Sequence, residues 1–186
     1  MEFEPTAIPD IVLIHPQVFG DERGFFMETY QAQKFGAAGL PLIFVQDNHS
    51  GSQRGTLRGL HYQIKQAQGK VVRVVAGEIY DVAVDLRRWS PTYGKWVAAT
   101  LSSQNKTELW VPPGFAHGFY VLSEWAEVTY KATDYYAPQY ERSLLWNDPA
   151  LGIPWPIPPG QTPTLSPKDA QGALFANAEV YQEAIR

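Results

Sequence analysis

The chain has 186 residues, of which 45% are hydrophobic and 18% charged, and its formal net charge is −4. This composition excludes global disorder, fits one domain with its own core, and argues against broad nucleic-acid binding. The absence of cysteine excludes disulfides, a thiol nucleophile and a thiolate metal site. Apolar runs are short and no Lys or Arg precedes Arg23, so we expect no membrane helix, no targeting signal and a cytoplasmic location.

Short segments rich in Val, Ile, Tyr, Phe and Trp, separated by Gly, Pro, Asn and Ser, predict a mainly β fold. In chain order, the predicted strands are 10–14, 24–30, 42–48, 55–63, 70–76, 78–86, 95–101, 107–111, 116–122 and 125–133. Two helical segments are predicted, at 31–38 and at 169–184. Many short strands at this spacing indicate a sandwich or a barrel.

Seven prolines fall in the segment 149–167. Such a segment cannot form a central strand, yet Leu151, Ile153 and Trp155 give it apolar surface to bury. We therefore expect an ordered, extended surface segment. The sequence predicts a single domain spanning 1–186, with a barrel core at about 40–147 and a C-terminal extension at 148–186.

The stretch 48–77 contains no Asp or Glu, although the whole protein is acidic. It carries Arg54, Arg58, Lys65, Lys70 and Arg73. A local anion site and an ordinary solvated surface both explain such a stretch. The next predicted strand alternates, so that Ile79, Asp81, Ala83 and Asp85 share one face, which lines a polar cavity or faces water.

Two of the four histidines lie in informative motifs. Pro112-x-Gly114-x-x-His117 is typical of the second half of a metal site in cupin barrels. The first half is incomplete, because Gln63 stands two residues after His61 where a second histidine is expected. No carboxylate occurs in 62–77, which instead contains a lysine. Two histidines beside a lysine make a poor divalent-cation site, so we expect no metal.

His61, the nearby lysine and the arginines offer a general base, a cation for an oxyanion, and groups that hold phosphate. These are the parts needed to abstract a proton beside a carbonyl. Arg58 has the opposite strand parity to His61, so it reaches the same cavity only through a bulge or at a strand end.

Seven separated motifs then match one family in order and spacing. They are D-E-R-G-F-F-M-E at 21–28, Q-D-N-H-S at 46–50, G-T-L-R-G-L-H-Y-Q at 55–63, Q-G-K-V-V-R-V at 68–74, V-P-P-G-F-A-H-G-F at 111–119, Y-K-A-T-D-Y-Y at 130–136 and L-S-P-K-D at 165–169. Over about residues 3–175 the chain resembles the dTDP-4-dehydrorhamnose 3,5-epimerases.

The resemblance implies a cupin-like jelly-roll β-barrel, a homodimer with exchanged N-terminal strands, and catalysis without metal or cofactor. The implied reaction inverts C3 and C5 of dTDP-4-dehydro-6-deoxy-D-glucose, a dTDP-linked 4-keto-6-deoxyhexose, to give dTDP-4-dehydro-L-rhamnose for dTDP-L-rhamnose biosynthesis. Three alternatives remain open: a mono-epimerase of another dTDP-4-keto-deoxysugar, a non-catalytic nucleotide-sugar binding barrel, and a metal cupin.

The resemblance also assigns roles to residues. The implied catalytic set is His61 as general base, Asp169 as the acid that orients it, Lys70 near the C4 oxygen, and Tyr130 as proton donor on the opposite sugar face. Arg23 and Arg58 match pyrophosphate-binding positions, and Tyr136 matches the ring that stacks on thymine. Further contacts are implied at Glu28, Gln46, Asp47, Asn48, Gln63, His117, Glu141 and Lys168, with Arg23 and Glu28 contributed across the dimer.

Overall fold

The structure, a computed structural model, describes residues 1–41 and 43–185. The strands are β1 (Glu2–Pro5), β2 (Val12–His15), β3 (Val18–Asp21), β4 (Gly24–Met27), β5 (Gln46–Gln53), β6 (Leu57–Gln63), β7 (Lys70–Ala76), β8 (Glu78–Asp85), β9 (Trp96–Ser102), β10 (Glu108–Val111), β11 (Phe115–Val121), β12 (Trp125–Ala132) and β13 (Glu141–Ser143). One α-helix, α1 (Ala32–Ala37), and three 3₁₀ turns, at Pro138–Tyr140, Asp169–Gln171 and Phe175–Asn177, accompany them in the described ranges. No helix there is long and apolar enough to cross a membrane.

The strands form two main sheets and a separate hairpin. One sheet has the order β1-β2-β10-β7-β12-β5, and the other has the order β13-β6-β11-β8-β9. All the pairings between these strands are antiparallel. Strands β3 and β4 pair only with each other. The mainly β, cupin-like fold predicted from the sequence is confirmed.

Agreement with the predicted strands is closest from β6 to β12, where apolar alternation is strong. The predicted strand at 70–76 has the bounds of β7, and the other six differ by one or two residues at their ends. The N-terminal predictions are less accurate: β1 and β3 were not predicted, and the strand expected at 42–48 occurs further along, as β5. Residues 42 and 186 lie outside the described residues.

The main core lies between the two sheets. Fully buried Ile79, Leu101 and Leu109 pack there with Phe115 and Val128. Burial of one such side chain stabilises the fold by about 1.5–3 kcal/mol, so this layer holds the sheets in a fixed relation. Because the sheets are held rigidly, the polar side chains that also point between them, at one end, keep fixed relative positions.

The C-terminal segment packs on the outer face of the second sheet. Leu151, Ile153 and Trp155 cover Leu60 and Tyr62 of β6. Backbone hydrogen bonds join Thr164 to the residues just before β6, with Thr164 N donating to Gly55 O at 2.9 Å. The ordered, extended character expected for 149–167 therefore agrees with the structure. The course of this segment places Asp169, which follows it, next to His61.

The helix predicted at 169–184 is wrong. Only the two short 3₁₀ turns form there, because the chain makes tertiary contacts that a helix would prevent. Ala173 bridges to Leu144, Tyr181 bridges to Arg87, and a side chain at Gly172 would collide with the Leu144 backbone at 2.4 Å. The helix predicted at 31–38 is confirmed as α1, whose N-cap is the Gln31 side chain.

Candidate active site

A cleft of about 170 Å³ opens between the two sheets. It is lined by Ser50, Arg58, His61, Tyr62, Gln63, Gln68, Lys70, His117, Gly118, Phe119, Tyr130, Tyr136 and Glu141. The general-base, lysine and tyrosine candidates therefore share one cavity. A larger cavity of about 320 Å³, on the outer face of the six-stranded sheet, contains neither candidate histidine and is lined by charges such as Asp47, Arg73 and Glu108. We therefore assign the site to the cleft.

A register shift between β6 and β11 brings Arg58 and His61 to the same cleft. His117 pairs with His61, but Phe119 pairs with Arg58, so β6 has one residue more than β11 over this interval. Gly59 has φ of +116°, and a side chain there would lie 2.5 Å from the Cα of Gly118. Of the two routes that strand parity leaves open for Arg58, the structure shows the bulge, and it requires glycine where the two strands approach closely.

His61 is paired with a buried carboxylate. Its Nε2 lies 2.5 Å from Oδ1 of Asp169, and the Asp169 side chain is buried. The Ser166 hydroxyl donates to Asp169 Oδ2 at 2.7 Å, and the Gly59 amide donates to Oδ1 at 3.3 Å. Burial acts to raise the pKa of Asp169, but the hydrogen bonds from His61 and Ser166 outweigh it and lower the pKa. An ionised carboxylate at Nε2 leaves His61 Nδ1 free to accept a proton.

His117 forms a second pair, with Asp81 of β8. Its Nε2 lies 2.8 and 2.9 Å from the two oxygens of Asp81, which is fully buried. Burial raises the pKa of Asp81, and the interaction with His117 offsets only part of that effect. The predicted contact residue His117 thus lines the cleft with one ring nitrogen already engaged.

Lys70 and Tyr130 project into the cleft from β7 and β12. Burial lowers the pKa of Lys70 to about 8, against the opposing charge of Glu141. Burial and then Glu141 raise the pKa of Tyr130, while Arg58 acts in the opposite direction. At neutral pH the lysine is mostly cationic and the phenol is protonated, which are the states needed to stabilise an oxyanion and to donate a proton.

Glu141 joins the two rims of the cleft. The Tyr136 hydroxyl donates to Glu141 Oε2 at 2.7 Å, and Lys168 forms an ion pair with Oε1. Burial acts to raise the pKa of Glu141, but these two bonds outweigh it, so the carboxyl is held ionised. Lys168 itself does not line the cleft, and it reaches the site through Glu141.

Gln63, predicted as a substrate contact, lines the cleft with its amide engaged by the backbone. Its Nε2 donates to Gln66 O at 2.7 Å and Tyr135 O at 3.2 Å, and its Oε1 accepts from the Ala137 amide at 2.8 Å. These bonds fix the loop that carries Tyr136. The side chain at the second cupin histidine position therefore holds a loop.

The predicted contacts on β5 divide between the two sides of that strand. Gln46 Oε1 accepts from the Tyr136 amide at 2.9 Å, and Gln46 Nε2 donates to Asn48 Oδ1 at 3.0 Å. Asp47 instead forms an ion pair with Lys131 at 3.0 Å. Gln46 is thus linked to the tyrosine loop, whereas Asp47 and Asn48 line the outer cavity, and none of the three lines the cleft.

Arg23 and Glu28 do not line the cleft of their own chain. Arg23 lies on the β3–β4 hairpin, pairs with Asp21 and is highly exposed. Glu28 pairs with Lys34 at 2.7 Å. The basic stretch at 48–77 also splits, since only Arg58 and Lys70 reach the cleft, and Arg54, for example, pairs with Glu124 at the surface.

Sequence reasoning did not select Asp81 or Ser166 as site residues. The alternation of β8 placed Asp81 on a face with two open interpretations, and the structure shows that this face is buried. Nothing in the sequence singles out Ser166, whose role depends on a tertiary contact. Among residues 1–41 and 43–185, no group of three or more His, Cys, Asp or Glu side chains is arranged to hold a metal ion.

Comparisons with known proteins agree with this geometry. The family described as dTDP-4-dehydrorhamnose 3,5-epimerase matches residues 5–177. The enzyme of that name from Pseudomonas aeruginosa is 60% identical over 182 residues, covering 97% of this chain and 99% of that protein.

Solved structures extend the similarity to the fold. The dTDP-6-deoxy-D-glucose-3,5-epimerase from Legionella pneumophila, in complex with dTDP-4-keto-L-rhamnose, gives a TM-score of 0.94 at 49% identity and covers 98% of each chain. A 3′-monoepimerase from Streptomyces bikiniensis, in complex with dTDP-quinovose, gives 0.86 at 33% identity and covers 93% of this chain and 87% of that chain. With sequence and fold matching over nearly its whole length, the chain belongs to the dTDP-4-dehydrorhamnose 3,5-epimerase family.

Proposed function

We propose that this protein inverts C3 and C5 of dTDP-4-dehydro-6-deoxy-D-glucose, using side chains alone, and so produces dTDP-4-dehydro-L-rhamnose. The observation that carries this proposal is that the His61–Asp169 pair, Lys70 and Tyr130 meet in one cleft. His61 belongs to the five-stranded sheet and Tyr130 to the six-stranded sheet. A sugar ring held between the sheets is therefore accessible to a base and an acid from opposite sides.

The C4 ketone makes the protons on C3 and C5 acidic. His61 Nδ1 removes one of these protons, and the electrons of the C–H bond form an enolate whose charge resides on the C4 oxygen. Lys70 stabilises that oxygen. The Tyr130 hydroxyl then donates a proton to the opposite face of the same carbon. Proton exchange with solvent returns His61 to its neutral form and Tyr130 to its phenol, so the cycle repeats at the second carbon.

The nucleotide is held by groups along the same cleft. Arg58 Nε donates to Ser52 Oγ at 2.9 Å, which orients the guanidinium beside His61 for pyrophosphate. The Tyr136 ring is about half exposed at the rim and suits stacking on thymine. His117 supplies a further polar group in the cleft, and Gln46, bonded to Asn48, supports the loop that carries Tyr136.

We propose further that the active form is a homodimer with exchanged N-terminal strands. Strands β1 and β2 pair within their own chain, which leaves the β3–β4 hairpin to reach a partner. Phe19, Phe25 and Phe26 of this hairpin are more than half exposed. An isolated two-stranded hairpin is marginally stable, so packing on a second copy supplies the missing contacts and brings Arg23 and Glu28 towards the partner's cleft.

A mono-epimerase is the second candidate, because the 3′-monoepimerase from Streptomyces bikiniensis shares the fold. Proton NMR of the product separates the two functions. The protein is incubated in D₂O with dTDP-4-dehydro-6-deoxy-D-glucose after exhaustive EDTA treatment. Inversion and deuterium at both C3 and C5 support the proposal. Inversion at one carbon supports the second candidate, and loss of activity restored by a divalent ion contradicts the side-chain mechanism.

Tyr130→Phe tests the proton donor in the same assay. The base and Lys70 remain, so the enolate still forms, but the new proton returns from His61 to the face it left. We expect deuterium at C3 or C5 with retained configuration, and net inversion reduced by at least ~10². Normal inversion at both carbons would show that water or another side chain is the donor.

A further inference from the structure

Glu141 occupies a central position that a simple substrate contact does not explain. Both of its carboxylate oxygens are already engaged, one by the Tyr136 hydroxyl and the other by Lys168. Its backbone, at the start of β13, lies opposite Gln63 of β6. The carboxylate is therefore fixed by bonds to the nearby tyrosine loop and to the later segment that carries Lys168.

The two partners of Glu141 come from the two functional ends of the cleft. Tyr136 belongs to the loop at the nucleotide end. Lys168 directly precedes Asp169, the carboxylate that orients His61. In the described residues, the side chains of Tyr136 and Lys168 make no hydrogen bond or ion pair other than those to Glu141. Glu141 is thus the polar link between these two ends.

The charge of Glu141 also acts on the reacting groups. It opposes the loss of the proton from buried Lys70 and from Tyr130. The titratable and charged groups that line the cleft around Lys70 are Arg58, His61 and Tyr62 on β6, His117 on β11, Tyr130 on β12, Tyr136 and Glu141. Among these lining residues, Glu141 is the sole carboxylate.

We infer that Glu141 is a positioning residue that couples nucleotide binding to the ordering of the Asp169 segment. This inference rests on the proposed function. When the thymine ring stacks on Tyr136, the phenol is held in place, and its hydroxyl fixes Glu141. Glu141 in turn holds Lys168, so that the 166–169 segment keeps Asp169 against His61. The His61–Asp169 pair is already formed in this structure, so nucleotide binding acts by making the 166–169 segment open less often.

The coupling is tested by backbone hydrogen–deuterium exchange with dTDP as the probe. In the wild-type protein, dTDP should slow exchange at least about threefold in a peptide covering 165–171, where the amides of Ala170 and Gln171 bond back to Ser166 and Lys168. Tyr136→Phe keeps the stacking ring but removes the hydroxyl, so this protection should be lost while dTDP still binds. Tyr135→Phe is the matched control, because that exposed tyrosine makes no such bond.

Kinetics provide the second measurement. Tyr136→Phe and Glu141→Gln should each lower kcat about tenfold, as expected when a charged group loses a hydrogen-bond partner. In Glu141→Gln, the alkaline limb of kcat should also move to lower pH, because Lys70 loses its proton more easily. Glu179→Gln is the control, since Glu179 pairs with Arg142 next to Glu141 in the chain.

The outcomes are distinct. Protection of 165–171 that persists in Tyr136→Phe, or that is absent in the wild type with dTDP bound, overturns the coupling. A change only in dTDP affinity also overturns it, since the hydroxyl then serves the nucleotide alone. If the exchange results follow expectation but the wild type does not epimerise the keto-sugar nucleotide, the coupling stands and the proposed reaction fails.

Discussion

Two histidine–carboxylate pairs lie in the same cleft, on strands that pair directly, yet their carboxylates have different surroundings. Asp169 accepts hydrogen bonds from His61, the Ser166 hydroxyl and the Gly59 amide. Asp81 is fully buried, and its side-chain oxygens bond, within residues 1–41 and 43–185, to His117 alone. The residue types are identical, so their difference must come from the environment.

The environment shifts the pKa values of the two carboxyl groups in opposite directions. Burial acts to raise both pKa values. At Asp169 the hydrogen bonds outweigh burial and the pKa falls, whereas at Asp81 a single partner does not compensate and the pKa rises. An ionised Asp169 supports His61 as a neutral base. At Asp81 the raised pKa favours the protonated carboxyl more than at Asp169.

The two histidine rings also differ in their exposure to solvent. The His61 side chain is 32% exposed, and that of His117 is 9% exposed. A base must reach a carbon-bound proton, so the more open ring is the better candidate. The two histidines are therefore distinguished by the groups around their carboxylate partners and by the exposure of their rings to the cleft.

The largest expected effect separates the two rings. His61→Asn should abolish deuterium exchange at C3 and C5, with a loss of ~10²–10⁴-fold, because it removes the general base. His117→Asn should retain exchange at both carbons and lose no more than about tenfold, as expected for one hydrogen bond. The measurement is NMR of recovered substrate in D₂O. Equal losses in the two variants would show that both rings act as bases.

Asp169→Asn should have the next largest effect. The amide fills the same space but cannot hold His61 by a charged hydrogen bond, so kcat should fall about 10- to 100-fold. Binding of dTDP, measured by calorimetry, should change little because the Asp169 side chain does not line the cleft. Near wild-type kcat would mean that the cleft alone orients His61.

These differences were only partly visible in the sequence. Strands such as β7 and β12 were predicted because apolar residues alternate or run together in them. Strand β5 was displaced in the prediction because its sequence, Q-D-N-H-S-G-S-Q, has no apolar pattern. It is an edge strand whose inner side chains face a polar cleft, so the apolar alternation that usually marks a strand is missing from its sequence.

The two carboxylates illustrate the same limit at the site. Asp169 lies 108 residues from His61 in sequence, and its local motif is equally typical of a helix N-cap, so only the family resemblance joined them. The alternation of β8 assigned Asp81 to one face of the strand, but nothing in the sequence identified His117 as its partner. Strand parity left two routes by which Arg58 could reach the cavity of His61, a bulge or a strand end, and only the structure shows the register shift.

A smaller effect, on stability, tests whether the pKa values of Asp169 and Asp81 are shifted in opposite directions. Because the folded pKa of Asp169 is lowered, its stabilisation is present above about pH 4 and is lost on acidification. Because the folded pKa of Asp81 is raised, its contribution is lost as pH rises from about 4. Relative to wild type, the Tm deficit of Asp169→Asn should therefore grow as the pH rises to about 4 and stay constant from there to pH 7, whereas the Tm of Asp81→Asn should improve between pH 4 and 7. Parallel curves would contradict the assigned environments.

The smallest expected effect comes from removing one hydrogen-bond donor to Asp169, which leaves this carboxylate with fewer donors, as at Asp81. Ser166→Ala removes the hydroxyl that donates to Asp169 Oδ2, so the carboxylate is stabilised less and the pair takes up a proton at higher pH. The acidic limb of kcat/KM should move to higher pH, with kcat at neutral pH reduced by no more than about tenfold. Ser143→Ala is the matched control, because Ser143 lies opposite His61 on β13 and its buried hydroxyl has no hydrogen-bond partner in the part of the chain that the structure describes. If both variants give the wild-type profile, the number of donors to Asp169 does not set the protonation of the base, and the difference between the two pairs must come from access alone.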